Sequence, residues 1–172
     1  MERARPHPPR NEPVREYPPG SGERASLKAE LGRMGAECPE LPMVIGGKDV
    51  ATGRREAAIE PHNHRRTLAQ AHLGGAAEVH AAITAARRAG RDWSRASWRE
   101  RAAVFLEAAA RLSGPRRDRL NAATMLGQSK TVHQAGIDSA AELIDFWRFN
   151  VQFMLRIYNE QPLHNPKHKS LT

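Results

Sequence analysis

Apolar positions recur at three- and four-residue steps through most of the second half of the chain. From residue 75, Val79, Ile83, Ala86, Gly90 and Trp93 succeed one another at helical spacing. Ser97-Trp98-Arg99-Glu100 reads as a capping box, in which Ser97 caps free amides while Glu100 reaches back. The helix it opens is expected to carry Val104, Phe105, Ala108, Ala109 and Leu112 inward and to end at Gly114-Pro115. Another is expected from about Arg116 to Leu126, stopping at Gly127. The last and longest starts near Thr131 and ends before Pro162. On it Ile144, Trp147, Val151, Met154 and Tyr158 mark the centre of an apolar arc, flanked by Leu143, Phe146, Phe153, Leu155 and Ile157. That arc spans roughly 200°, about twice the stripe a surface helix requires.

The pattern before residue 75 is different. Residues 1–20 hold six of the twelve prolines and no apolar period, so they read as an extended arm. A short helix is expected over 23–34, with Ala25, Leu27, Leu31 and Met34 as its apolar positions and Gly35 as C-cap. Two β-rich runs flank Gly46-Gly47, a dipeptide suited to the positive φ angles of a tight hairpin turn. The runs 52–61 and 66–73 are expected to add strands, with turns at Thr52-Gly53 and at residues 60–64. The predicted organisation is an arm (1–20), a helix with a hairpin and strands (21–73), a helical region (74–163) and a polar tail (164–172). The fold class is mainly α with a small N-terminal β-hairpin or sheet.

Composition narrows the functional classes. With 40% hydrophobic and 27% charged residues the chain fits a soluble globular protein. No run is long enough to span a membrane, because Asp138, Glu142, Asp145, Arg148 and Arg156 interrupt the richest segment. Residues 1–10 lack the apolar core of a secretory signal, and three prolines spoil an amphipathic transit helix, so a cytoplasmic protein is expected. The net charge of +8 invites a nucleic-acid reading, but the arginine pairs at 54–55, 65–66, 87–88 and 116–117 are scattered and no aromatics interleave with them. A solvated basic surface is expected, with no specific nucleic-acid partner. The single Cys38 excludes an internal disulfide and a cysteine-built zinc site; between acids and beside a proline, it reads as an ordinary loop cysteine. His62 with His64, and His164 with His168, lack a third ligand, so no metal site is expected.

Longer segments carry a resemblance. "MVIGGKDV", "EPHNH", "AAEVHAAITAARRAGRDW" and "ERAAVFLEAAARL" are in the order and spacing of the N-terminal region of aldehyde dehydrogenases. "NEPVREYPPGSGERASLKAEL", "NAATMLGQSKTVHQAGIDSAAELIDFWRFNVQFM" and "IYNEQPL" resemble, more narrowly, the Δ1-pyrroline-5-carboxylate dehydrogenases, also called L-glutamate γ-semialdehyde dehydrogenases. The likeness runs over about residues 11–163. It implies an incomplete N-terminal part of the α/β aldehyde dehydrogenase fold, NAD as cofactor of the full-length enzymes, and a small aldehyde substrate in the second oxidative step of proline degradation.

The family's chemistry needs a cysteine nucleophile, an asparagine and a backbone amide for the oxyanion, and a glutamate to activate water. None of the segments that carry them in the family is found in these 172 residues, nor is its NAD-binding βαβ region. The expectation is therefore a truncated or frame-shifted product or a gene fragment, inactive alone and binding no cofactor, with no catalytic or cofactor-binding residue of its own. By the same resemblance the helix at 131–160 is covered, in intact enzymes, by chain beyond it. The resemblance also places Glu142 near the substrate entrance. On the residues alone, Glu142 shares a polar face with Asp138 and Asp145 at i, i+4 and i+7 steps, and a solvated acidic stripe pairing with Arg148 or Arg156 is the competing reading. Gly136, where relatives carry an acid, is an unusual helical residue, and Lys130 reads as structural. The alternative function is a small basic helical protein that binds a partner chain or polyanion. In either case self-association through the helix of 137–158 is expected.

Overall fold

The computed structural model describes residues 8–161. In chain order the elements are α1 (Gly22–Ala36), β1 (Glu40–Leu41), β2 (Met43–Ile45), β3 (Lys48–Val50), β4 (Arg55–Ile59), β5 (Thr67–His72), α2 (Ala76–Arg95), α3 (Trp98–Ser113), α4 (Arg117–Gln128), α5 (Val132–Gln134), a π-helical stretch (Ala135–Ala141) and α6 (Glu142–Asn159). The last three run on as one long helix. The described residues are mainly α with small sheets, as the periodicities imply.

Gly46 and Gly47 sit at φ +60° and +79°, and pair β2 with β3 in register Met43 to Val50. Gly53 supplies the next left-handed turn at φ +76°. β5 is the centre of a three-stranded sheet, antiparallel to β4 and parallel to the two-residue β1. The parallel strand β1 has no signature in the sequence: two residues after a proline are too short to show a period.

The helical face is built from three small clusters. Ala109 and Leu112 of α3 meet Ala140 and Ile144, with Leu120, Leu143 and Trp147 around them. Leu27 of α1 meets Ala122 of α4 and Tyr17 of the arm. Ala102 meets Val151 and Leu155. Alanines at these crossings let the helix axes approach closely, so much of the contact is backbone-near packing.

Several boundaries and faces differ from the sequence expectations. α1 ends at Glu37, whose amide bonds to the Met34 carbonyl, and not at Gly35. α4 continues through Gly127 and is capped by Ser129 in the left-handed region. The buried line of α3 is Ala102, Ala109 and Leu112; Val104 and Phe105 are 56% and 42% exposed. Val104 lies about 200° round the helix from Ala102, and α6 covers only the side on which Ala102 lies. The helix α2 buries no residue, and its Val79, Ile83 and Trp93 face solvent. The capping box at Ser97 forms, with the Ser97 amide donating to the Glu100 carboxylate at 2.7 Å and the Glu100 amide donating to the Ser97 hydroxyl at 3.2 Å. The first of these holds the Glu100 carboxyl below its ordinary value of 4.5.

The arm is anchored through buried polar groups. Glu12 is 8% exposed, and its carboxylate accepts from Arg117 at 2.6 Å, from Arg148 at 2.8 Å and from the Ser113 hydroxyl at 2.9 Å. Asp145 accepts from the Glu12 amide at 2.7 Å and from the Asn11 side chain at 2.6 Å. Five residues on, Tyr17 is buried at φ +51°, and its hydroxyl accepts from Asn121 at 3.0 Å.

This packing makes two substitutions informative. Glu12→Ala leaves the Arg117 guanidinium, 1% exposed, without its carboxylate; uncompensated buried charge costs about 3–5 kcal/mol, so urea unfolding should shift by that amount or lose cooperativity. Gly136 is buried in the π-helical stretch, yet a Cβ built there has no neighbour nearer than 3.9 Å, at the Tyr17 ring. Gly136→Ala should therefore raise stability by about 0.4–1 kcal/mol, read as a higher urea midpoint with unchanged slope.

Candidate functional site

Glu142 opens α6 at the junction with the π-helical stretch. Such stretches bond i to i+5, and the added residue per turn rotates the later side chains relative to a regular helix. The three acids that the 100° wheel puts on one face thus have separate roles. Asp138 pairs with Lys130 at 2.7 Å, which gives that lysine a structural place. Asp145 holds the arm at Asn11 and Glu12. The Glu142 residue is exposed, and its side chain forms no hydrogen bond or ion pair among the described residues. The expected pairing of this acidic stripe with Arg148 or Arg156 does not occur. Arg148 is taken by Glu12 at 2.8 Å and Arg156 by Glu160 at 2.8 Å, partners within easier reach.

The free carboxylate of Glu142 borders an open cleft of about 430 Å³, lined also by Asn11, Asp145, Phe146, Phe149, Asn150 and Phe153. The Phe149 and Phe153 rings lie 6.3 Å apart at 48°. Phe146 and Phe153 are 60% and 51% exposed, so this wall is an apolar surface with an acid at its rim. Such an arrangement suits a ligand with an apolar body and a positive or hydrogen-donating end. It contains no nucleophile. Cys38 is exposed in the loop between α1 and β1.

The arm's contribution to this cleft has no local sequence signal: Asn11 and Glu12 sit in a proline-rich stretch without periodicity. A faint signal exists on the other side. Arg117, Asn121 and Thr124 recur at i, i+4 and i+7 on α4 and are all buried, a polar stripe that demands polar partners. The arm and Ser139, whose hydroxyl is 2.7 Å from that of Thr124, provide partners for all three side chains, while Nε of Arg117 and Oδ1 of Asn121 stay unpaired among the described residues. His62 and His64 lie in the turn after β4 as expected. No group of three metal-ligating side chains lies together among the described residues, and the pair at His164 and His168 falls outside them.

Comparison with known proteins gives a consistent relationship. The chain is 45% identical over 156 residues to Delta-1-pyrroline-5-carboxylate dehydrogenase of Agaricus bisporus, covering 90% of this chain and 29% of that one. It is 44% identical over 156 residues to the mitochondrial Delta-1-pyrroline-5-carboxylate dehydrogenase of Bos taurus, covering 91% and 28%. Among solved structures, the Delta-pyrroline-5-carboxylate dehydrogenase of Mycobacterium tuberculosis bound with NAD and cobalamin superposes with a TM-score of 0.91 at 45% identity, over 96% of this chain and 32% of that chain. The chain thus spans under a third of the length of these relatives. Residues 49–172 match the aldehyde dehydrogenase family, and the chain belongs to that family.

Proposed function

We propose that this chain is the N-terminal portion of an NAD-dependent L-glutamate γ-semialdehyde dehydrogenase, the enzyme of the second oxidative step of proline degradation. The observation that carries the reading is the 45% identity sustained over 156 residues, which spans arm, sheet and helices alike. The M. tuberculosis relative bound with NAD supports the cofactor of the whole enzyme. Glu142 then lies at the substrate entrance, where its unpaired carboxylate and the phenylalanine wall meet the amino end of a small amino-acid aldehyde. No helix among the described residues is long and apolar enough to cross a membrane.

These 172 residues alone are proposed to be inactive. Aldehyde oxidation requires a thiolate to add to the carbonyl, donors for the resulting oxyanion and a base for water, and Cys38 is the only thiol in the sequence. The isolated chain with NAD and glutamate semialdehyde should form no NADH above a buffer blank, and calorimetry should detect no NAD binding. Turnover abolished by Cys38→Ala would reverse the proposal, as would a micromolar NAD dissociation constant. Reading onward in the gene past codon 172 tests its origin: asparagine, cysteine and glutamate segments in another frame would support truncation.

A second reading, association of the chain with itself or a partner through α6, rests on a separate observation. Phe146, Phe153, Ile157 and Tyr158 are 60%, 51%, 65% and 46% exposed on one helix. An exposed patch of this kind marks an interaction surface or an aggregation liability. Gel filtration of the purified chain should show species larger than 19.1 kDa, with dye binding to apolar surface; a monodisperse monomer that binds no such dye would remove this reading.

A further inference from the structure

A second cleft, about 450 Å³ in volume, opens among α1, α3, α4 and α6, and the dehydrogenase reading does not use it. Its charge is the reverse of that at Glu142. Leu112 is buried in the first cluster, and Leu120, Leu143 and Trp147 pack half-buried against that cluster, so their outer edges make an apolar floor. Arg111, Arg116 and Arg119 line the same cleft, and no acid does. The chain geometry gathers these groups. Only residues 114–116 join α3 to α4, and the Arg116 amide donates to the Arg111 carbonyl at 3.0 Å. Arg116, Arg119, Leu120 and Ala123 then fall at i, i+3, i+4 and i+7, one face of α4. Leu143 and Trp147 are an i, i+4 pair on α6.

Two of the three guanidinium groups keep their donors free. Arg111 is taken by Glu107 at 2.7 Å. The exposed side chains of Arg116 and Arg119 form no hydrogen bond or ion pair among the described residues. Glu30 and Asp118, the acids near them, line the adjoining surface depression and are committed there. Glu30 pairs with Arg33 at 2.6 Å, and Asp118 accepts from the Ser26 hydroxyl at 2.6 Å. Guanidinium forks match the oxygens of carboxylates and phosphates. A phosphate monoester carries a charge of about −1.5 to −2 near pH 7, so it answers both arginines where a carboxylate answers one. The cleft volume lies in the range of small-molecule sites, about 300–1,000 Å³.

We propose that this cleft binds single-chain alkyl phosphates, with the phosphate between Arg116 and Arg119 and the chain along Leu112, Leu120, Leu143 and Trp147. The floor reaches down to Leu112, only 6% exposed, so a chain must leave its neighbours to lie on it. The occupant is therefore a free monomeric amphiphile, not a lipid packed in a bilayer. Charge fixes the head and apolar contact fixes the tail, and neither alone fills the cleft.

The test titrates the whole chain by calorimetry with decyl phosphate below its micelle-forming concentration. Saturable binding of one ligand per chain is expected, tighter than that of decanol by about tenfold or more. From hexyl to decyl phosphate, each added methylene should tighten binding by about two- to fourfold. Arg116→Gln combined with Arg119→Gln should bring decyl phosphate down to the affinity of decanol. Arg88→Gln, which removes the same charge from exposed α2, should change the affinity by less than about twofold. A chain-terminal bromine on decyl phosphate should quench indole fluorescence, and Trp147→Phe should abolish that quenching while calorimetric binding persists. Decanol binding as tightly as decyl phosphate would overturn the proposal, as would undiminished affinity in the folded double variant. Quenching that survives Trp147→Phe would place the ligand elsewhere and overturn it too. So would binding to phosphatidate vesicles with none to monomeric decyl phosphate.

Discussion

The arrangement of the helices depends on one buried carboxylate. Glu12 approaches three elements at once, through Ser113 at the end of α3, Arg117 at the start of α4 and Arg148 in α6. Each element brings a donor that would be costly to bury alone, and a single acceptor group meets them all. Such a cluster is no gain over a well-packed apolar core, but it punishes any alternative arrangement severely. It therefore acts as a register pin. Tyr17 adds a second pin five residues on, held in a left-handed conformation that is costly for a bulky residue and sustained by its burial against α1 and α4.

How much of this could be read from the sequence depends on the range of the interaction. The hairpin at Gly46-Gly47, the caps at Ser97 and Thr131, and the last helix are local, and each shows as a spacing or a turn residue. The arm's docking joins residues more than a hundred positions apart, and nothing near Glu12 announces it. The ends of α1 and α4 depart from the glycine stops because glycine is only the commonest residue for a helix end, not a required one. Glu37 and Ser129 terminate these helices instead, the second at a left-handed angle that the sequence gives no reason to expect. The inward face of α3 is narrower than its apolar pattern, because periodicity reports which residues are apolar and not how much partner surface is present to cover them.

The candidate cleft divides in the same way. Glu142 and the phenylalanines are a local pattern on one helix, and family resemblance points to the glutamate. The isolation of its carboxylate is not local. Lys130 pairs with Asp138 and Arg148 with Glu12, so neither cation is spent on Glu142. A carboxylate left unpaired beside aromatic surface is available to a ligand because its neighbours are satisfied elsewhere. The arm ties α6 to the other helices through two of its side chains, Asp145 and Arg148.

Apolar surface sets the remaining constraint. Each large side chain kept in water forgoes about 1.5–3 kcal/mol of burial, and α6 leaves Phe146, Phe153 and Ile157 more than half exposed. Scaled by that exposure, those three alone represent roughly 3–5 kcal/mol, a large part of the whole stability of a small domain at about 5–15 kcal/mol. The helix α2 repeats the situation with Val79, Ile83 and Trp93, and its turns bury nothing. Capping, ion pairs and alanine crossings hold the described residues in their fold, yet two helices carry apolar stripes patterned for burial. An amphipathic period records the environment in which a helix is meant to pack. Among residues 8–161 the three small clusters leave the apolar stripes of α2 and α6 largely uncovered.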